Sequence, residues 1–112
     1  MMKKMIGLPT QEGYDFIDSR KIVRCEAEGA YTCIHFTDRK KYIVSKNLKE
    51  FEVILDPTQF CRVHHSHLVN LEFVIKYYKG KGGVIELEDG VQIEVSVRKK
   101  NDFLDKYTLQ KK

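Results

Sequence analysis

Long apolar runs, paired cysteines and a glycine-rich nucleotide loop are all missing from this 112-residue chain. With no apolar run beyond a few residues, no segment is long enough for a membrane span. The start, Met1-Met2-Lys3-Lys4-Met5-Ile6, likewise lacks the apolar stretch of a signal peptide. Three cysteines, Cys25, Cys33 and Cys61, are an odd number and form no CxxC pair. Reduced structural thiols fit that pattern better than a disulfide framework, and the chain reads as soluble and cytoplasmic. No linker, low-complexity tract or internal repeat divides it, so residues 1–112 read as a single domain. Twenty Lys plus Arg against 16 Asp plus Glu leave a net charge of +4. That mild basic bias favours a polyanionic partner without establishing one.

What is present is mostly two-residue alternation. Ile85 to Glu88 and Val91 to Val95 flank Asp89-Gly90, whose positive φ angles suit a type I′ hairpin turn. Lys21 to Ala27 and Tyr31 to Phe36 form a second hairpin across Glu28-Gly29-Ala30, and Thr37-Asp38-Arg39 leads into Lys41 to Val44. Gly80-Lys81-Gly82-Gly83 makes a tight, basic turn between a strand at Phe73 to Tyr78 and one at Val84. Two segments read as helices. Asn47-Leu48-Lys49-Glu50 is a capping-box pattern, followed by Leu48, Phe51, Ile54 and Leu55 at helical spacing and stopped by Pro57. The other starts near Ser96 as N-cap, with Phe103, Leu104 and Tyr107 on one face. The expected architecture is mostly β with two short helices.

Residues 60–70, Phe60-Cys61-Arg62-Val63-His64-His65-Ser66-His67-Leu68-Val69-Asn70, hold the densest polar cluster, set against an apolar Leu-Val step. Zinc is a weak reading, because alternation sends His64 to one face and His65 and His67 to the other, and the spacing matches no common structural site. A Cys-His nucleophile lacks an orienting acid. The chain therefore reads as non-enzymatic, without metal or cofactor. Nucleic-acid binding fits more of the residues. Basic groups gather at expected turns and helix starts: Arg39-Lys40-Lys41, Lys46, Lys79, Lys81 and Arg98-Lys99-Lys100. Tyr31, Thr32, His65 and Arg98 are nearby groups able to reach base edges, while lysines contact phosphate. The bland alternative is that the lysines keep a small β domain soluble. A stacking platform is disfavoured, since Phe16, Phe36, Phe51, Phe60 and Phe103 read as core, leaving Tyr31 and Tyr77 or Tyr78 exposed.

The order of these features resembles the LytTR-type DNA-binding domain over about Ile6 to Tyr107. The parts are Glu26-Ala27-Glu28-Gly29-Ala30-Tyr31-Thr32, the Asn47-Leu48-Lys49-Glu50 helix start, Phe60-x-Arg62-x-His64-x-Ser66-x-x-Val69-Asn70, and Val95-Ser96-Val97-Arg98. The resemblance implies an elongated fold of several small antiparallel sheets that binds double-stranded DNA through loops. Those loops enter successive major grooves, bend the DNA, and commonly act as two copies on a repeated site. Carried over by position, the base-reading residues are Tyr31 or Thr32, His65 and Arg98, and Lys79 and Lys81 become phosphate contacts beside Lys46 and Lys99. His65 stands where the family most often has Arg, and Ala30 where it often has Asn. An imidazole is a shorter donor than guanidinium, so the resemblance implies a different base preference there, sharpening as pH falls toward about 6. His64 reads as internally hydrogen-bonded, Phe60 and Val69 as core, Asn70 as a turn tie and Arg62 as structural. Such modules usually follow a receiver domain. The chain is expected to be either a segment of a longer response regulator or a regulator controlled by a separate partner. The alternative from another class is a small basic β module that binds an acidic protein.

Overall fold

The alternating segments form ten strands in three antiparallel sheets, in a computed structural model that describes residues 5–110. Residues 1–4, read above for a missing signal segment, lie outside the described residues. Strands β1 (Met5–Thr10) and β2 (Gly13–Asp18) make a two-stranded hairpin. Strands β3 (Ile22–Glu28), β4 (Tyr31–Phe36) and β5 (Lys41–Val44) follow as the expected meander. Helix α1 (Leu48–Ile54) leads to β6 (Phe60–His64) and β7 (His67–Asn70). Because β7 pairs with β3, these strands complete a five-stranded sheet in the order β5-β4-β3-β7-β6. Strands β8 (Val74–Tyr78), β9 (Val84–Leu87) and β10 (Gln92–Glu94) make the third sheet, and α2 (Lys100–Gln110) closes the description. The extents are 45 × 35 × 24 Å, so the shape is elongated as expected.

The five-stranded sheet is buried on both faces, which its alternation makes possible. Phe60 and Leu68 join Ile22, Cys25 and Ile34 under Leu48, Phe51 and Leu55 from the α1 region. Their neighbours Cys61, Val63 and Val69 point the other way, into a second core with Ile85, Leu87, Ile93 and Phe103 from the third sheet and α2. Each fully buried aromatic or aliphatic side chain contributes roughly 1.5–3 kcal/mol. Asn70, wholly buried, ties the turn as expected. Its amide donates to the Ile22 carbonyl at 2.8 Å, and its Oδ1 accepts from Glu72 N at 3.0 Å. All three cysteines are buried and free. Burial pushes the Cys25 thiol up to about 12 and Cys61 to about 11.

Helix α1 forms with its capping box intact: Asn47 Oδ1 accepts from Glu50 N, and Glu50 accepts from Asn47 N, both at 2.9 Å. Ile54, expected on its buried face, is exposed. The helix ends there, and Leu55, in extended backbone, packs instead. The second helix begins later than expected. Ser96 makes no side-chain cap, Val97–Lys99 form a 3-10 turn, and α-helix starts at Lys100. The Asp89-Gly90 turn is not type I′, because Gly90 alone has positive φ. Leu87 O accepts from Gly90 N and Leu87 N donates to Val91 O, both at 2.9 Å, the pattern of a three-residue loop with a bulge. Phe16, expected in the core, is 71% exposed and lies over Gly7 on the outer face of the β1–β2 hairpin, beside exposed Tyr14. That hairpin is hidden in sequence because Gly7 and Pro9 weaken its strand pattern. An isolated pair tolerates Pro where a central strand would not.

Candidate nucleic-acid interface

The polar cluster of residues 60–70 is a hairpin, and its two-residue turn, His65-Ser66, carries the exposed histidine. Arg62, whose carboxylate partner is invisible in sequence, supplies the local framework. Its Nε donates to the His64 carbonyl at 2.9 Å, Nη2 donates to the His65 carbonyl at 2.6 Å, and Nη1 binds Glu52 of α1. His64 is half-buried and internally bonded as expected, with Nδ1 accepting from Ser66 N at 3.1 Å. A donor at that atom requires a lone pair, so the ring hydrogen sits on Nε2, which faces Glu94 at 4.0 Å. The His65 ring rests on His64, centroids 4.4 Å apart. His67, behind them, is half-buried, and burial disfavours its charged form. Deeper on the same face Glu26 bridges Arg24 and His35, each at 3.3 Å. Burial works against its charge, yet Arg24 and His35 hold the carboxyl below its usual range. Among the described residues, no group of three or more His, Cys, Asp or Glu converges on a metal position.

Four hydrogen-bonded ties gather the other expected contacts along the same end of the domain. Ala27 N donates to Ser66 O at 2.9 Å, joining the β3–β4 turn to the β6–β7 turn. Thr32 Oγ1 donates to the Lys46 carbonyl at 2.7 Å, joining the β5–α1 link to the same row. Ser96 N donates to Val63 O at 2.8 Å, which brings in the link carrying Arg98. Val95 N donates to Gly83 O at 2.9 Å, which brings in the loop carrying Lys79 and Lys81. Gly82 packs so tightly on Val95 and Ser96 that a β-carbon there would lie 1.9 Å from Val95 O. The row is therefore Lys46, Tyr31, His65, Arg98 and Lys81, in that order of connection.

Accessibility separates the members of the row. Tyr31 follows the Gly29-Ala30 turn, where Gly29 has φ +62°, and is 52% exposed. Thr32, one residue on, points to the opposite face and is wholly buried with its hydroxyl committed, so the structure removes it from the base-reading set. His65, Arg98, Lys79 and Lys81 are exposed and Lys99 is partly exposed, none in an ion pair with a described residue. Lys46 is half-buried and 3.8 Å from Glu50, which already draws on its charge. Arg39-Lys40-Lys41 do not belong to the row. The β4–β5 turn lies at the far end of the sheet from the β3–β4 turn, beside Glu88 and Asp89. Nothing local in the sequence marks Glu52 or the Gly82 contact, since both depend on tertiary packing.

Comparison with known proteins settles the class. The family description of the LytTr DNA-binding domain matches residues 12–108. The chain belongs to the LytTR family of DNA-binding domains. Its LytTR fold is also that of the solved LytTr DNA-binding domain of a putative methyl-accepting/DNA response regulator from Bacillus cereus. That structure shares 22% identity at TM-score 0.78 and covers 94% of this chain and 97% of the other. Among curated proteins, the LytTR chain is 34% identical over 82 residues to the heme-containing CO-sensing transcriptional regulator RcoM 2 of Paraburkholderia xenovorans, covering 72% of this chain. It is 32% identical over 88 residues to the CO-responsive transcriptional regulator RcoM of Rhodospirillum rubrum, covering 78% of this chain. The matches span only 30% and 37% of those regulators, so this LytTR chain corresponds to about a third of each. The family is one of DNA-binding domains rather than enzymes. No helix among the described residues is long and apolar enough to cross a membrane.

Proposed function

We propose that this LytTR domain reads double-stranded DNA sequence through the row of loops at one end, as the output module of a transcription regulator in the cytoplasm. The observation that carries this reading is the row itself. Tyr31, His65 and Arg98 are exposed on turns tied to one another by backbone hydrogen bonds, with uncommitted Lys79, Lys81 and Lys99 beside them. Arg98 suits guanine, whose O6 and N7 accept two parallel N–H bonds, and His65 and Tyr31 offer shorter single contacts. The lysines supply the sequence-independent term. Entry of these loops into two successive major grooves, about one helical turn apart on the duplex, belongs to the same proposal. Bending the duplex toward the row, and pairing two copies on a repeated site, follow as further parts of the proposal. Signal input comes from a receiver or other domain of a longer polypeptide, or from a separate partner.

A second reading rests on a different surface. Arg39, Lys40 and Lys41, in no ion pair with a described residue, form a basic group at the opposite end, where an acidic protein would dock. Salt dependence of duplex binding shows which of the two surfaces meets DNA. Removing one cation from phosphate lowers the slope of log affinity against log salt by about 0.9. Replacing Lys79 and Lys81 with Ala should lower it by about twice that amount, and replacing Arg39 and Lys40 should leave it unchanged. The reverse result would move the DNA to the other end of the domain.

A further inference from the structure

The β6–β7 turn is unusual among two-residue hairpin turns. His64 pairs with His67 across two loop residues, yet neither His65 nor Ser66 has a positive φ. The turns whose twist suits a two-residue hairpin need positive φ at one or both positions. A turn without it splays the strands, and the ladder here does shift register between Arg62 and His64. Its conformation therefore calls for an external brace, and Arg62 supplies one. Consecutive carbonyls, of His64 and His65, both accept from the one guanidinium, which fixes the two peptide planes flanking the His65 side chain. The third edge of the fork is held by Glu52, so the brace is anchored to α1 and not to the hairpin alone. The Arg62 side chain is only 19% exposed, and each of its three nitrogens already donates within the domain, so three of its five N–H groups are committed away from DNA.

We propose that Arg62 is a positioning residue for base recognition, acting through the backbone of His65, and that Glu52 on α1 sets its aim. The inference rests on the reading of His65 as a base contact. A planar fork is required because one point charge cannot serve two carbonyls and a carboxylate at fixed angles.

The test measures relative affinity for every single base-pair change in a duplex enriched from a random library, together with the salt slope. The proteins are the unaltered chain, His65→Ala, Arg62→Gln, Arg62→Lys and Glu52→Gln. His65→Ala should flatten the preference at one base pair by about fivefold or more. Arg62→Gln and Arg62→Lys should flatten that same position, with the salt slope unchanged. Glu52→Gln should do so in part, and it carries the test alone if the Arg62 variants do not fold. Flattening by His65→Ala but not by folded Arg62→Gln, or by Glu52→Gln where that variant stands alone, would overturn the inference and leave the base-reading assignment standing. A uniform loss of affinity with a salt slope lower by about one would make Arg62 a phosphate contact instead, again overturning it. No flattening by His65→Ala would overturn the assignment of His65 and the inference with it.

Discussion

Gly82 is the position where the packing of the loop row is most exposed to a single methyl group. A β-carbon added there would stand 1.9 Å from Val95 O, 2.8 Å from Ser96 C and 2.9 Å from Val95 C, all backbone atoms that cannot swing aside. Ordinary contact requires the β8–β9 loop and the β10–α2 link to separate by more than about 1 Å, the scale of overpacking that costs roughly 1–3 kcal/mol. The same displacement stretches the bond across the gap, Val95 N to Gly83 O at 2.9 Å, and pulls on the bond that holds the loop to β8, Tyr77 Oη to Gly82 O at 2.7 Å. Their weakening adds about 1 kcal/mol. Gly82→Ala should therefore lower stability by about 2–4 kcal/mol, or on the order of 10–20 °C in Tm for a domain of this size. Gly80→Ala is the control, since its nearest neighbours lie at 3.5 and 3.6 Å, and it should stay within about 0.5 kcal/mol. The assay is urea unfolding of both variants with unchanged m-value. Duplex binding is then measured where each is folded, and Gly82→Ala should lose about tenfold because Lys81 and Arg98 move apart. A Gly82→Ala protein as stable as Gly80→Ala would refute the close approach and the arrangement of the row built on it.

Other expectations separate folding from recognition. Arg98→Ala should cost about 1–3 kcal/mol of specific binding and relax preference at one base pair, while a melting scan shows little change. Thr32→Val should do the opposite: it strands the Lys46 carbonyl, costs about 1–2 kcal/mol in denaturant unfolding, and leaves the selected DNA motif unchanged. Phe60→Ala should lose about 3–5 kcal/mol of stability, whereas Phe16→Ala, at an exposed site, should lose less than about 1 in the same assay. Asp18 is held down to about 2 by its side-chain bond with Arg20. A depressed carboxylate stabilises the fold above its unfolded value near 4 and loses that contribution as pH falls toward 2. The stability gap between the unaltered chain and Asp18→Asn should thus be constant at neutral pH and close over that acid window.

The parts legible in sequence are those set by local rules. The capping box at Asn47, the alternation that buries Phe60 and Val69, and the tie through Asn70 each follow from residues a few positions apart. The departures have physical causes too. Thr32 against Tyr31 is a question of strand parity, and a one-residue slip turns a side chain from one face to the other. Strand alternation sorts His64, His65 and His67 only until His65 enters a turn, where it stops applying. Arg39-Lys40-Lys41 resemble the other basic turns in composition. Yet successive turns of an antiparallel meander fall at opposite ends, so counting strands separates them from Tyr31 without a structure. Glu52 as the partner of Arg62 lies beyond such counting, because the contact joins a helix to a hairpin ten residues on. The β1–β2 hairpin is obscured by Gly7 and Pro9 and by aromatic side chains that face outward.

Selection from a random double-stranded DNA library with the purified domain, at near-physiological salt, decides whether the loop row reads base sequence. One short motif, repeated about a helical turn apart, should be enriched, and its enrichment should weaken when Tyr31, His65 and Arg98 are replaced together by Ala. Recovery of no motif, with retention that fades as salt rises, would contradict base reading and leave the loop row as a basic surface without sequence readout.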